Sequence, residues 1–267
     1  MKALHNYALL FAMLIFLLAC KKGGSPLSND VSLDLSTVDT AQLSIPSPIL
    51  LPDSINQLPQ KHLTIVILGS STAVGIGSTE PKYSWAGLLE TKVLKDGKDI
   101  NFVNLAVSGY NTFQILPTGS PVKNSRPFPD ALNNITAAIS LNPDLVIINM
   151  PTNDISLNFS DEEILANYKT IIDLLEKKNI GYIITGTQPR DFPSTEVRNR
   201  LKILNDKLLI TFPGNVVNLL TKLSKAGWYI ADYYSTGDSA HLNNRGHRII
   251  YQYMINFPVF KDLAGYW

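Results

Sequence analysis

Two adjacent serines stand where a strongly apolar segment of the chain ends. The segment HLTIVIL (62–68) is followed by Gly69, Ser70 and Ser71. A serine just past a strand can be a helix cap, part of a turn or a nucleophile presented at the edge of a sheet. Because a serine hydroxyl is a weak nucleophile until a base removes its proton, the third role requires a suitable histidine elsewhere in the chain.

The small residues after these serines do not match the common loop patterns. A phosphate-binding loop requires a Gly-Lys-Ser/Thr sequence that the segment after the strand lacks. A dinucleotide fingerprint starting at Gly75 and Gly77 requires a third glycine where the chain has Glu80. A Gly-x-Ser-x-Gly turn centred on Ser71 is excluded because Ala73 takes the position of the last glycine.

One of the four histidines is well placed to be the base. The other three lie in the leader, at the start of the first strand and inside the last predicted helix: His5, His62 and His247. His241 lies in a loop just before that helix, which can return to the carboxyl edge of the sheet. Asp238, three residues earlier, can hold one ring nitrogen of His241 and leave the other to face Ser71.

The elements that must position these residues alternate between strands and helices. Short apolar runs rich in β-branched residues predict five strands, at 62–68, 100–107, 144–150, 181–187 and 215–220. Helical patterns are found at 84–95, about 128–141, 161–178, 196–211 and 243–256. Because the strands are almost continuously apolar, both faces of the sheet should be covered, which predicts a three-layer α/β fold around a parallel sheet. Ligands bind beyond the carboxyl ends of such strands, so the active residues are expected there.

Four short motifs, in order along the chain, resemble those of the SGNH or GDSL hydrolase superfamily over about residues 63–257. Gly69-Ser70-Ser71 is similar to the Gly-Asp-Ser block, which matches Ser71 to the nucleophile. The other matches are Gly109 to the oxyanion-hole glycine, Pro151-Thr152-Asn153-Asp154 to the Gly-x-Asn-Asp block, and Asp238 with His241 to the Asp-x-x-His block.

This resemblance implies a flavodoxin-like five-stranded sheet and a serine esterase that works through an acyl-enzyme. Its catalytic residues would be Ser71, Asp238 and His241. The amides of Ser71 and Gly109 and the side chain of Asn153 would form the oxyanion hole, and no metal or cofactor is implied. Short acyl or acetyl esters of carbohydrates are the expected substrates. Lysophospholipase or thioesterase activity is the alternative within the family.

Two substitutions in these motifs keep a rival interpretation open. Ser70 replaces the aspartate of the first block, and Pro151 replaces the glycine of the third. The rival function is that of a non-catalytic surface protein that has the same fold and binds carbohydrate. Six aromatic residues are candidates for lining a substrate pocket, although such residues more often pack in the core: Trp85, Tyr110, Phe113, Trp228, Tyr233 and Tyr234.

The N-terminal sequence is typical of a bacterial lipoprotein. Residues 1–19 carry Lys2 and a short apolar run, as in a signal peptide, and Cys20 follows directly as the predicted site of lipidation. Residues 20–60 are rich in Ser, Pro, Asp and Thr and predict a flexible tether, which leaves 61–267 as the hydrolase domain. The expected location is the cell envelope, at the outer membrane or cell surface.

The composition and net charge of the chain limit the kinds of molecule that it can bind. The chain has 267 residues, 45% of them hydrophobic, which is enough for one sizeable core. Its formal net charge is only +1, and no dense basic cluster occurs beyond Lys21 and Lys22. Nucleic acid is therefore excluded as a partner. The expected partners are an ester substrate and, through the lipid anchor, a membrane.

Overall fold

The computed structural model describes residues 61–123, 125–150 and 152–266. Five strands form one parallel sheet in the order β2-β1-β3-β4-β5. Their bounds are β1 Leu63–Gly69, β2 Ile100–Asn104, β3 Leu145–Asn149, β4 Gly181–Thr185 and β5 Val216–Val217. The predicted five-stranded parallel sheet is confirmed, and its strand order is that of flavodoxin-like folds.

The helices follow the strands and cover both faces of the sheet. Their bounds are α1 Ser71–Val74, α2 Trp85–Lys95, α3 Ile135–Ser140, α4 Thr152–Ser156, α5 Asp161–Lys177, α6 Thr195–Thr211, α7 Leu220–Leu223, α8 Asn244–Ile255 and α9 Pro258–Ala264. Helix α5 begins with a capping box, in which the Ser160 and Glu163 side chains each accept a backbone hydrogen bond from the other residue.

The alternation of side chains along each strand divides the core into two halves. Val66 and Leu68 of β1 face one way and pack with α3, α5 and α6. Ile65 and Ile67 face the other way and pack with α2, α8 and α9. Successive strand residues point to opposite faces, so a strand buried on both sides must be apolar at nearly every position. This explains the continuous apolar runs in the sequence.

Several elements differ from the sequence prediction: β2 ends at Asn104, and the short helices α1, α4 and α7 were not predicted. Helix α3 spans six residues and not the whole of 128–141, because Asp130 accepts a hydrogen bond from the Leu132 amide in a turn and Asn134 caps the helix only afterwards. Strand β5 has two residues, since the chain enters α7 at Leu220. Helix α9 was not predicted; it starts at Pro258, a residue well suited to the first helical position.

Some sequence predictions fall on the N-terminal part of the chain. The signal peptide at 1–19, Cys20 and the tether up to residue 60 lie outside the described residues. Within the described residues, none of the helices has both the length and the apolar character needed to cross a bilayer.

Candidate active site

Ser71 is held at the carboxyl edge of the sheet by the end of β1. Gly69, the last residue of the strand, lies opposite Asn149 of β3, and the chain then turns into the single helical turn of α1. A Cβ atom at residue 69 would lie 2.4 Å from the Cβ of Ala73, so only glycine allows this turn to pack so closely on the strand. Ser71 is the first residue of α1, where the backbone N–H has no partner within the helix.

Gly109 reaches the same edge from the neighbouring strand. After β2 ends, the chain stays beside β1, because the amides of Leu105 and Val107 donate to the carbonyls of Ile67 and Gly69. The backbone then turns at Gly109, whose φ of 86° is in the left-handed region that favours glycine. Its amide donates no hydrogen bond to the described residues and can donate to a ligand.

The side-chain amide of Asn153 links three parts of the site. Its nitrogen donates to the hydroxyl of Ser70 at 2.8 Å and to the carbonyl of Tyr110 at 2.9 Å. Its oxygen accepts from a guanidinium nitrogen of Arg190 at 3.2 Å. Because only the amide nitrogen can donate to a carbonyl and only the oxygen can accept from arginine, these contacts fix the orientation of the amide. Ser70, which replaces the family's aspartate, thus accepts a hydrogen bond from Asn153.

His241 and Asp238 are paired in the loop before α8. Nδ1 of His241 lies 2.6 Å from Oδ2 of Asp238, and the His241 amide donates to the other carboxylate oxygen at 2.8 Å. Partial burial opposes ionisation of Asp238, but these hydrogen bonds outweigh it and lower the pKa of the carboxyl well below its usual range. An ionised Asp238 keeps the proton of the neutral ring on Nδ1, so Nε2 is free to accept another.

The loop after α1 packs directly against the histidine loop. A Cβ atom at Gly77, whose φ is 96°, would lie 2.2 Å from the carbonyl oxygen of Leu242, next to His241. The buried imidazole of His247 joins the same regions, with Nε2 3.1 Å from the carbonyl of Ile76 and Nδ1 3.4 Å from the amide of Trp85. His247 therefore stabilises the structure behind the site and does not line it.

A cavity of about 210 Å³ lies where these segments meet. It is lined by Ser71, Gly109, Asn153 and His241, and Asp238 is hydrogen-bonded to His241. The structure thus brings together all the residues that the sequence analysis selected in this region. The six candidate aromatic residues are not among its described lining residues, and Trp85 and Phe113 are buried in the core. Pro151 lies outside the described residues.

The lining residues that the sequence analysis missed include two from the segment after β4. Gln188 and Arg190 follow β4, and both reach the cavity wall. The Gln188 amide donates to the hydroxyl of Thr72 at 2.7 Å. The rule that residues just past parallel strands face the site could have selected this segment, but no family motif marks it. The described residues contain no group of three or more His, Cys, Asp or Glu side chains placed to hold a metal.

Asp154, next to Asn153, is fully buried behind the site. Its carboxyl accepts from the Thr112 amide at 3.0 Å and from the Thr112 hydroxyl at 2.5 Å, and Asn167 donates to the same hydroxyl at 2.9 Å. Burial raises the pKa of Asp154 to about 7, and the bonds from Thr112 offset this only in part. The network anchors the chain just after Gly109 to α4 and α5.

A family model of the GDSL-like lipases and acylhydrolases matches residues 67–249, more than half of the 267 residues. The chain belongs to this family and is a hydrolase of ester bonds, as the sequence motifs predicted. No curated protein sequence matches the chain.

Solved structures of similar fold include the psychrotrophic esterase EstA from Pseudoalteromonas sp., with 18% identity over 73% of this chain and 96% of that one and a TM-score of 0.55. A GDSL-like lipase from Bacteroides thetaiotaomicron has 19% identity over 77% of this chain and 93% of its own, with a TM-score of 0.57. An acetyl xylan esterase has 16% identity over 72% and 98%, with a TM-score of 0.53. At these identities the likeness concerns the fold.

The buried Asp154 carboxyl predicts a pH-dependent stability. Because its pKa in the folded protein, about 7, is above the ordinary 3.8, the folded chain keeps a proton that the unfolded chain has released between those values. The contribution of this group to the free energy of unfolding is complete below about pH 4 and is lost as the pH rises through about 7. Between pH 5 and pH 8 the loss should be on the order of 3 kcal/mol.

Urea unfolding of the wild-type protein and the Asp154→Asn variant at both pH values measures this effect. The amide oxygen of the variant can still accept from Thr112 but does not titrate, so the variant should show a smaller decrease from pH 5 to pH 8. An identical pH dependence of the two proteins would show that Asp154 stays ionised in the folded state.

Proposed function

We propose that the protein is a serine esterase in which Ser71 forms an acyl-enzyme, with short acyl esters of polar alcohols such as carbohydrates as substrates. One observation carries the proposal: Ser71, Gly109, Asn153 and His241 line a single cavity, and Asp238 holds the far side of His241. These residues supply a nucleophile, a base and hydrogen-bond donors for a developing negative charge.

Acylation starts when Nε2 of His241 takes the proton from Ser71. The serine oxygen bonds to the carbonyl carbon of the ester, whose oxygen becomes an oxyanion. Asp238 stays ionised and stabilises the imidazolium that forms. When the tetrahedral intermediate collapses, the bond to the alcohol breaks and the alcohol leaves with the proton from His241. Water then attacks the acyl-serine in the same way, and the acid and the free serine are released.

The oxyanion is stabilised by donors from the segments that follow β1, β2 and β3. The amides of Ser71 and Gly109 are free among the described residues to bind it. Asn153 is the third donor, but both hydrogens of its side-chain amide are engaged, with Ser70 and with Tyr110. Donation to the substrate requires one of these bonds to be exchanged or shared. Loss of a single donor of this kind costs about 2.7 to 4 kcal/mol of barrier.

The character of the cavity supports a small acyl group and a polar alcohol. Among the described residues that line it, only Met150 and Ala240 have apolar side chains, while most of the others are serine, threonine, asparagine or glutamine. A long acyl chain requires an extended apolar groove, so a volume of about 210 Å³ favours short acyl groups. The acetyl xylan esterase of similar fold supports this part of the proposal.

The N-terminal sequence supports a second proposal, that Cys20 is acylated after removal of residues 1–19. The esterase domain would then be tethered by residues 20–60 to a membrane of the cell envelope. The support is the apolar run that ends directly at the single cysteine of the chain.

A covalent serine probe distinguishes the two adjacent serines. A fluorophosphonate should label the full-length protein, and Ser71→Ala should lose both labelling and esterase activity, the latter by about 10³-fold or more. Ser70→Ala is the matched control, since it removes only an acceptor of the Asn153 amide and should keep labelling, with activity lower by about tenfold at most. Labelling of Ser71→Ala at the wild-type rate would refute Ser71 as the nucleophile.

Acyl-chain preference tests the substrate class. With p-nitrophenyl esters, kcat/KM should be higher for acetate and butyrate than for decanoate by about tenfold or more, because the cavity encloses only a short chain. Acetate release from acetylated xylo-oligosaccharides, measured in parallel, should depend on Ser71. A preference for decanoate would instead favour lysophospholipase or thioesterase activity.

Metabolic labelling tests the anchor. In a bacterial host supplied with a clickable palmitate analogue, the wild-type protein should incorporate label and fractionate with membranes, because the acyl chains partition into the bilayer. Cys20→Ala should lose both properties. Equal labelling of the two proteins would exclude lipidation at Cys20.

A further inference from the structure

Arg190 places a positive charge on the wall of the active-site cavity. It follows β4, and no aspartate or glutamate is present among the described residues that line the cavity with it. One of its nitrogens donates to the neutral side-chain oxygen of Asn153 at 3.2 Å. The guanidinium has five N–H groups, so several remain for other acceptors.

The other partly or fully buried arginines of the described chain are well satisfied. Arg126 forms a two-bond ion pair with Glu163, and Arg200 pairs with Asp161. Arg198 donates to three backbone carbonyls and a threonine hydroxyl. Arg190 differs from all three, since it forms no ion pair with a described residue and its one polar contact is a neutral amide.

The carboxylate of Asp238 acts on Arg190 but forms no ion pair with it. Asp238 acts on the guanidinium from a distance, while its two carboxylate oxygens accept from His241 and from the amides of Ala240 and His241. Burial lowers the pKa of Arg190 and Asp238 opposes the change, but an arginine remains charged at neutral pH in either case. The cavity therefore holds a partly desolvated cation with unused donors.

We propose that Arg190 forms an anion subsite, and that the preferred ester carries a carboxylate on its acyl part or on its alcohol part. The planar guanidinium matches a carboxylate in a two-bond geometry, and partial burial strengthens the attraction relative to that in water. Because the cavity is small, the carboxylate must lie within a few bonds of the ester carbonyl. This inference rests on the proposed esterase function and specifies its substrate.

Matched pairs of neutral and anionic esters test the subsite in the full-length protein. On the acyl side, p-nitrophenyl valerate is compared with mono-p-nitrophenyl succinate. On the alcohol side, an acetylated methyl glucoside is compared with the corresponding acetylated methyl glucuronide. In at least one pair, wild type should prefer the anionic member, with a ratio of kcat/KM values of about tenfold or more. The pair that shows the preference identifies the part of the ester that carries the charge.

Variants of Arg190 separate charge recognition from an effect on Asn153. Arg190→Met should reduce the anionic-to-neutral ratio by about tenfold or more, mainly through KM, and Arg190→Lys should retain part of it. Arg248→Met, at an exposed position on α8, is the control and should leave the ratio unchanged. If Arg190→Met lowers kcat equally for both esters, Arg190 only positions the Asn153 amide and the anion subsite is refuted.

The affinity of a catalytically inactive variant for esters tests the anion subsite without relying on turnover. By calorimetry, Ser71→Ala should bind succinate monomethyl ester more tightly than methyl valerate, and the Ser71→Ala/Arg190→Met double variant should lose that difference. Equal binding of the two esters by Ser71→Ala would refute the subsite. Hydrolysis of neutral esters without any preference by wild type would refute it as well, while leaving the esterase function intact.

Discussion

The pairing of β1 with β3 places Gly69 opposite Asn149, and the geometry of the site depends on this register. From these two positions the chains turn outward at the same edge, and the hydrogen bond between Ser70 and Asn153 joins them. Strand order reverses here, because β2 lies on one side of β1 and the remaining strands lie on the other, which opens a crevice. A shift of one residue would turn the buried side chains of a strand to the opposite face, so the packing of both core halves fixes the positions of Ser71 and Asn153.

Much of this arrangement could be predicted from the sequence, because it depends on local patterns. Apolar runs such as LTIVIL identify strands buried on both faces, and elimination among the four histidines selects His241. Arg190 and Gln188 could not be assigned in this way. Their roles depend on which side chain of a turn reaches the cavity, and that is decided by tertiary contacts such as the bond from Arg190 to Asn153. The start of α3 was predicted wrongly for a similar reason, since Asp130 forms a turn with side-chain hydrogen bonds that compete with the helix.

The substitutions in the family motifs have a physical account at one of their two positions. Ser70 retains the hydrogen-bond acceptor that the Asn153 amide requires, without the negative charge of an aspartate. The side-chain oxygen of Asn153, on the opposite side of the amide, faces the positive charge of Arg190. Asn153 is therefore polarised from its oxygen side, which makes its N–H groups better donors. A neutral acceptor combined with a cation gives this site a more positive local potential than an acidic residue at position 70 would.

The contact of Gly77 with the backbone of Leu242 has a consequence for how this enzyme can diversify. The segments that carry Ser71 and His241 touch through main-chain atoms, and His247 supports both from behind. The closest approach is between main-chain atoms, so amino-acid exchanges at positions that do not pack on these two segments leave it unaltered. At the wall after β4, Gln188 and Arg190 reach the cavity through their side chains. Selection can therefore alter what the enzyme recognises at that wall while its reactive centre is inherited unchanged.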